Sequence, residues 1–198
     1  MTLVSEAMIF ATRAHDGALR KGTNLPYIVH PAEVAAIAAA LTDDPEILAA
    51  ALLHDVMEDC GVTLEALTAQ FGSRVAHLVL CESQICEGDP CRTWTRRKQA
   101  ALGHIAQGDL ATRIIAMGDK LSNMRAIRRD YDREGDQLFL RFHQRDKRRL
   151  AWYYRSCAKL LKEEFGQSDA WLELNGHIEH VFAGIEMLSP EDEAASAV

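Results

Sequence analysis

The feature that most constrains the fold of this chain is an apolar run that ends abruptly in polar residues. Residues 47–53 are only isoleucine, leucine and alanine, and His54–Asp59 (HDVMED) follows directly. A helix that is apolar on nearly all sides belongs in the interior of a protein. Four polar side chains at the end of such a helix are costly to bury unless they have a partner. A divalent cation would be such a partner, because it offsets carboxylates and binds a neutral imidazole.

Composition and charge restrict the class of protein. The chain has 198 residues, of which 48% are hydrophobic and 26% charged, which is typical of one globular domain with a proper core. Its net charge is −7, whereas proteins that bind nucleic acid broadly are usually basic. We therefore expect no nucleic-acid partner. A small anionic substrate is compatible with this charge if basic residues surround the site.

The ends of the chain and its cysteines indicate a reducing compartment. The N-terminus lacks a basic start and a long apolar run, and no stretch reaches transmembrane length. We expect a cytoplasmic protein with reduced thiols and no membrane partner. Cys81, Cys86 and Cys91 recur every five residues, which is no common zinc spacing, so we expect a structural or incidental role. The oligomeric state cannot be read from the sequence.

Helical periodicity runs through nearly the whole chain and predicts an all-α fold. We find no convincing strand, internal repeat or interdomain linker, so residues 1–188 are expected to form one domain and 189–198 a flexible tail. Residues 84–93 are expected to be irregular. The predicted helices are 3–15, 31–41, 45–57, 64–72, 73–83, 94–107, 110–130, 144–165 and 168–187.

A His-Asp dipeptide alone is weak evidence for a metal site, because His15–Asp16 matches the same pattern as His54–Asp55. Glu58 and Asp59 share a helix face with the second dipeptide, but a helix end turning into solvent would explain them equally well. His30, before Pro31, reads by itself as a cap or a surface residue.

A later segment repeats the change from apolar to polar residues. Asp119 follows the apolar run Ile114–Met117, where an unpaired carboxylate would be expensive to bury. Asn123 lies four residues further on and faces the same way on a helix. The segment therefore offers a second candidate ligand from a buried helix.

Five segments in order carry a family resemblance: Ala14–Lys21 (AHDGALRK), Pro26–Pro31 (PYIVHP), Ala50–Asp59 (AALLHDVMED), Phe71–Gly72 and Gly118–Arg125 (GDKLSNMR). Together they resemble the hydrolase domain of the RelA/SpoT proteins, within the HD-domain phosphohydrolase superfamily. They are most similar to its free-standing forms, the small alarmone hydrolases. The resemblance spans residues 5 to about 165 and implies an HD-domain helical bundle.

The resemblance also implies a reaction and its residues. The reaction is hydrolysis of the 3′-pyrophosphate of ppGpp or pppGpp to GDP or GTP and pyrophosphate. Glu58 and Asp59 would orient and deprotonate the attacking water. One Mn²⁺ would be bound by His30, His54, Asp55 and Asp119. The nucleotide would be held by Arg20, Lys21 and Asn123, with positive charge from Lys120, Arg125, Arg128 and Arg129.

Departures from the family pattern leave alternatives open. The segment after Glu82 lacks a lysine that many relatives have, and Ala126 stands where long relatives offer a hydroxyl near the base. Because base discrimination depends on such polar partners, an adenine alarmone such as pppApp is an alternative substrate. A broader phosphohydrolase acting on dNTPs, 5′-nucleotides or NADPH and a non-catalytic nucleotide-sensing module are others. His15 is expected to be structural or to support a ligand.

Overall fold

The computed structural model describes residues 1–83 and 93–190, and there the chain is all-α, as the sequence predicts. Within these residues the only β pairing is an isolated bridge between Leu19 and Pro26. Cys86, Cys91, residues 84–92 of the expected irregular segment 84–93 and residues 191–198 of the expected tail lie outside the described residues. The α-helices are α1 (Leu3–Ala14), α2 (Val29–Ala38), α3 (Pro45–Leu53), α4 (Val56–Cys60), α5 (Leu64–Phe71), α6 (Ser73–Glu82), α7 (Trp94–Gln107), α8 (Leu110–Glu134), α9 (Lys147–Phe165) and α10 (Asp169–Val181).

Helix starts follow local capping chemistry. Asp44 accepts a hydrogen bond from the Glu46 N–H and precedes Pro45, the first residue of α3 and of the helix predicted there. Thr63 caps α5 by accepting from the Ala66 N–H. The same kind of cap, formed by a residue that the sequence analysis did not single out, begins the three helices α8, α9 and α10.

The structure differs from the predicted boundaries at several places, and the helix expected over 168–187 ends at Val181. α2 begins at Val29, two residues before Pro31, so His30 lies within its first turn. The single helix expected over 45–57 is broken, because His54 ends α3 and Asp55 begins α4. A 3₁₀ helix at Gly135–Arg141, which no sequence pattern indicated, follows α8.

The long helix α8 is the centre of the bundle. It packs against α2, α3, α6, α7, α9 and α10, so its middle is buried on nearly all sides. α3 is the second buried helix and contacts α1, α2, α6 and α8; its residues Ala49–Leu53 are fully buried. The two apolar segments singled out in the sequence therefore both lie in the core. The polar residues that follow them, His54–Asp55 and Asp119, lie close together. No helix among the described residues is long and apolar enough to cross a membrane.

Candidate metal centre and nucleotide cavity

Four side chains from three segments of the core converge on one point. His30 comes from α2, His54 and Asp55 from the break between α3 and α4, and Asp119 from α8. The Nε2 atom of His30 lies 3.5 Å from Asp55 Oδ2 and 3.3 Å from Asp119 Oδ1. The Nε2 atom of His54 lies 3.0 Å and 3.8 Å from the same two oxygens. The four candidate ligands therefore surround a common centre.

The donor set fits a divalent cation. Both imidazoles are 2% exposed, and the Nε2 atom of His54 is buried without a hydrogen-bond partner among the described residues. A buried polar atom without a partner is rare and calls for an explanation such as a bound ion. Ligand atoms of His30, His54 and Asp55 lie within 4.8 Å of one another, and Asp119 completes a set of two nitrogens and two carboxylates.

The second nitrogen of each imidazole is held away from this centre. The Nδ1 atom of His54 lies 2.8 Å from the Ala51 carbonyl oxygen, so it carries a proton and donates it. The Nδ1 atom of His30 lies 2.8 Å from the Ser122 hydroxyl. Both Nε2 atoms therefore face the carboxylates, which is the orientation that a metal-binding histidine requires.

Electrostatics keeps the two carboxylates ionised. Burial opposes this, but His54 and His30 hold the pKa of Asp55 well below its usual range. The neighbouring Lys120 and both imidazoles do the same for Asp119. Burial lowers the pKa of His30, whereas the adjacent carboxylates outweigh burial at His54 and raise its pKa to about 9. A metal ion at the centre would compete with that proton on His54.

Neighbouring polar groups fix the carboxylates. The hydroxyl of Tyr27 donates to Asp55 Oδ2 at 2.7 Å, and burial together with Asp55 raises the pKa of Tyr27 far above its normal value. The Nζ atom of Lys120 lies 2.5 Å from Asp119 Oδ2 and 3.8 Å from Glu82 Oε2. Lys120 is 3% exposed, so it lies behind Asp119 in the core, and the structure does not bring it to the nucleotide cavity as the sequence analysis expected.

A cavity of about 450 Å³ opens beside His30. Arg20, Lys21 and Asn123, which the sequence analysis named, all line it. Arg20 donates to Asn123 Oδ1 at 3.0 Å, and the amide of Asn123 donates to Asp119 Oδ1 at 2.5 Å. The cavity wall is thereby hydrogen-bonded to the metal centre.

The basic residues of the cavity are only partly those expected. Arg125, Arg129 and Arg141 also line it. Arg128 does not: its Nε atom lies 2.8 Å from Asp132 Oδ2, one turn along the surface of α8. The reason is helix phase, because nine residues at about 100° each place Arg128 on the face opposite Asp119.

A second cavity of about 300 Å³ adjoins the first and shares Lys21 with it. α7 contributes Arg97 and Lys98, which sequence reasoning missed because this helix carries no recognisable motif. The guanidinium of Arg97 lies 3.5 Å from Glu58 Oε1. Burial, followed by repulsion from Lys120, lowers the pKa of Lys98 to about 8.

The two proposed catalytic carboxylates lie on α4 next to the centre. Glu58 and Asp59 are more exposed than the candidate ligands, of which the two histidines are buried and the two aspartates partly buried. Partial burial and the charge of Asp55 raise the pKa of Asp59.

His15 is buried, with its Nδ1 atom 3.2 Å from Cys60 Sγ and its ring 4.7 Å from that of Tyr27. His15 therefore packs against Tyr27, which hydrogen-bonds Asp55, and is not one of the four candidate ligands.

Comparison with known families identifies the fold of this centre. Residues 7–147 match the family model of the HD domain. The chain belongs to the HD domain family. The matched region begins inside α1 and ends at Lys147, the first residue of α9, so it includes α2–α8 and the four candidate ligands.

Among curated proteins, this chain is similar to proteins named as guanosine-3′,5′-bis(diphosphate) 3′-pyrophosphohydrolases and GTP pyrophosphokinases. It is 39% identical over 128 residues to a guanosine-3′,5′-bis(diphosphate) 3′-pyrophosphohydrolase of Vibrio cholerae, covering 62% of this chain and 17% of that protein. It is 36% identical over 140 residues to a probable GTP pyrophosphokinase of Mycobacterium leprae, covering 65% and 16%. The chain therefore matches about a sixth of the length of these relatives.

Two solved structures share the fold. One is a metazoan ortholog of SpoT that is described as hydrolysing ppGpp, with a TM-score of 0.72, 23% identity and coverage of 91% of this chain and 96% of that one. The other is a Listeria monocytogenes protein with a TM-score of 0.67 and 24% identity, covering 81% and 99%. At this identity they establish the helical architecture, including the helices after the matched HD region.

Proposed function

We propose that this protein hydrolyses the 3′-pyrophosphate of ppGpp or pppGpp, releasing GDP or GTP and pyrophosphate, with one bound divalent ion. The observation that carries the proposal is the convergence of two buried imidazole nitrogens and two ionised carboxylates beside a cavity lined by basic residues. A metal centre next to a basic cavity suits a phosphorylated substrate.

The proposed ligands of the ion are His30, His54, Asp55 and Asp119. A mixed nitrogen and oxygen donor set suits Mn²⁺, Fe²⁺, Co²⁺ or Zn²⁺, and the resemblance to the alarmone hydrolases favours Mn²⁺. When bound, a divalent ion supplies Lewis-acid polarisation of the phosphoryl group and lowers the pKa of a coordinated water.

We assign two roles to side chains of α4: one accepts a proton from the attacking water, and the other orients that water. Glu58 is the general base in this account, since it lies three residues after Asp55 on α4 and its side chain is exposed. Its Oε1 atom lies 3.5 Å from the guanidinium of Arg97, which would orient the carboxylate. Asp59, next to Asp55, would orient the attacking water. Neither carboxylate is needed to hold the ion, so each can act on substrate and water.

The proposed substrate contacts are those that line the first cavity. Arg20 and Lys21 would neutralise phosphate charge, and a guanidinium can also stack on a base. Asn123 would contact the ribose while its amide remains bound to Asp119. The pairing of Arg20 with Asn123 gives the cavity a preformed wall. A protein of net charge −7 can therefore still present a basic cavity to an anionic nucleotide.

The comparisons support the same substrate class. The Vibrio relative is named for removal of the 3′-pyrophosphate from guanosine bis(diphosphate), and the metazoan structure is described as hydrolysing ppGpp. Guanine preference is the least constrained part of the proposal. Ala126 lines the cavity and offers no hydroxyl to the base, which favours pppApp as the second candidate substrate.

A substrate panel tests the proposal. The purified protein is incubated in Mn²⁺ with ppGpp, pppGpp, pppApp, NADPH and dNTPs, and the nucleotide product and pyrophosphate are separated by chromatography. We expect pyrophosphate with GDP from ppGpp and with GTP from pppGpp. Release of pyrophosphate only from pppApp would show that the substrate base is adenine and not guanine. Turnover of dNTPs or NADPH alone would refute an alarmone substrate. Tight ppGpp binding without turnover would instead indicate a sensing module.

A pair of arginine variants locates the substrate. Arg20→Ala should raise the KM for ppGpp, since Arg20 lines the cavity. Arg128→Ala is the matched control, because that guanidinium pairs with Asp132 on the opposite face of α8 and should leave the KM unchanged. Equal effects of the two substitutions would show that the nucleotide does not lie in this cavity.

A further inference from the structure

His30 is connected by hydrogen bonds to a carboxylate that no motif indicates. The Nδ1 atom of His30 lies 2.8 Å from the Ser122 hydroxyl oxygen, and that hydroxyl donates to Glu33 Oε2 at 2.6 Å. Ser122 is 1% exposed, so water cannot replace either contact. His30 and Glu33 both lie on α2, and Ser122 joins them from α8.

Proton counting gives this chain of hydrogen bonds a direction. A serine hydroxyl has one proton, and Ser122 donates it to the Glu33 carboxylate, which can only accept. The contact between Ser122 and His30 therefore requires that Nδ1 of His30 carry the proton and donate it. The other ring nitrogen, Nε2, is then left with its lone pair facing Asp55 and Asp119.

Glu33 is itself held in place by Arg125 of α8, which also pairs with a carboxylate of α10. Its Oε1 atom accepts from Arg125 Nη1 at 3.0 Å. Arg125 also donates through Nε and Nη2 to the two oxygens of Glu173 on α10, both at 2.7 Å. Such a bidentate pair is the strongest arrangement of an arginine and a carboxylate. The oxygens of Glu33 are thereby assigned: one faces Arg125 and the other faces Ser122.

We propose that Glu33 is a positioning residue that acts through Ser122 to hold His30 in the tautomer and orientation that bind the metal ion. The inference rests on the proposed function only through the metal centre and requires no particular nucleotide. It adds to the centre two residues of α2 and α8 that the ligand set does not include. Removing outer partners of metal-binding histidines typically weakens metal affinity by about 10–100-fold.

Glu33→Gln is the informative variant because it keeps the shape and reverses the hydrogen bonding. Arg125 donates to one side-chain oxygen of Glu33, so a glutamine would turn its own oxygen there and its NH₂ group towards Ser122. The hydroxyl of Ser122 would then point its proton at His30 and oppose the metal-binding tautomer. Ser122→Ala removes the link by a different route and is a second variant in case the first folds poorly.

A matched control is available on the surface of α9. Glu164 pairs with Arg113 at 2.9 Å and is 32% exposed, close to the 34% of Glu33. Glu164→Gln therefore removes a comparable ion-pair charge far from His30 in the hydrogen-bond network. Folding of all three variants is checked by circular dichroism.

The experiment measures Zn²⁺ affinity by competition with a chromophoric chelator, and the imidazole N–H signals of the Zn²⁺-loaded protein by NMR. We expect Glu33→Gln and Ser122→Ala to bind Zn²⁺ about 10–100-fold more weakly than the wild type and Glu164→Gln. The Nδ1–H signal of His30 should move, while that of His54, bonded to the Ala51 carbonyl, should not.

Wild-type Zn²⁺ affinity in folded Glu33→Gln and Ser122→Ala, with an unmoved His30 signal, would overturn the inference. Equal weakening by Glu164→Gln would overturn it as well, because the effect would then be one of general charge or stability. The measurements contain no nucleotide, so a protein that passes them and fails to hydrolyse ppGpp would refute the proposed substrate and leave the role of Glu33 standing.

Discussion

Gly118 of α8 lies against Val34 of α2 with no room for a side chain. A Cβ atom on Gly118 would stand 2.8 Å from the Val34 carbonyl oxygen and 2.9 Å from its Cγ1 atom. The first of these is backbone, so a small shift of a side chain cannot relieve the contact. This close approach of the two helices is what brings His30 and Asp119, the next residue after Gly118, to within 3.3 Å.

We therefore predict that Gly118→Ala separates the two helices. Overpacking of this kind costs about 1–3 kcal/mol of unfolding free energy and would outweigh the gain in helix propensity from alanine. Metal affinity should fall as well, because His30 moves away from Asp119. Chemical denaturation and Mn²⁺ titration measure the two effects.

Gly103→Ala is the control for that substitution. Gly103 lies inside α7, and a Cβ atom there would meet nothing within 4 Å. It should stabilise the protein by about 0.5–1 kcal/mol and leave metal binding unchanged. If Gly118→Ala behaved in the same way, the close approach would not be what forms the centre.

Tyr27→Phe tests the support of Asp55. The phenol donates to Asp55 Oδ2 at 2.7 Å, and its removal should weaken Mn²⁺ binding by about 10-fold. Tyr131→Phe is the control, since that hydroxyl contacts Lys147 at 3.2 Å on another part of α8. Isothermal titration with Mn²⁺ compares them, and equal affinities would show that Asp55 needs no such support.

Ala126→Thr tests base selection. A hydroxyl at this position of the cavity could hydrogen-bond the base, and such a bond is worth about 1 kcal/mol, or several-fold in rate. We expect the ratio of kcat/KM for ppGpp over pppApp to rise. Ala126→Val has the same shape without the hydroxyl, so a rise in both variants would indicate cavity shape and not hydrogen bonding.

Lys98 lines the second cavity, which adjoins the proposed substrate cavity, so a substrate phosphate that extends there would make binding depend on pH. Because burial and Lys120 lower its pKa to about 8, Lys98 is charged at neutral pH and loses its charge as the pH rises through that value. The KM for ppGpp should therefore increase between pH 7 and 9. In Lys98→Arg the charge persists, so the KM should stay flat; the same rise in that variant would assign the effect to another group.

The sequence predicts much of the fold because the apolar segments are so distinct. The apolar runs before His54 and Asp119 had to be buried, and their burial in one small core brings the polar residues that follow them together. The break between His54 and Asp55 was not predictable, since no proline or glycine marks it. It depends on tertiary packing, which overrides the local helical preference of the segment.

The substrate residues show where sequence reasoning was incomplete. Helix phase, at about 100° per residue, would already have set Arg128 aside and favoured Ala126, seven residues after Asp119. Lys120 was expected near the substrate because a charged side chain in a motif was taken to face it; the structure buries Lys120 against Asp119 and Glu82. Arg97 and Lys98 come from α7, and Glu33 reaches His30 only through Ser122 of α8, so the tertiary structure was needed to find all three.

The most direct test of the account is the metal content of two variants. Wild-type protein, Asp55→Ala and Glu58→Gln are loaded with Mn²⁺, dialysed and measured by mass spectrometry of the metal. We predict one ion per chain in the wild type and in Glu58→Gln, which should have lost turnover, and none in Asp55→Ala. An ion retained at full occupancy in Asp55→Ala would contradict the proposed centre, and full activity in Glu58→Gln would contradict the proposed base.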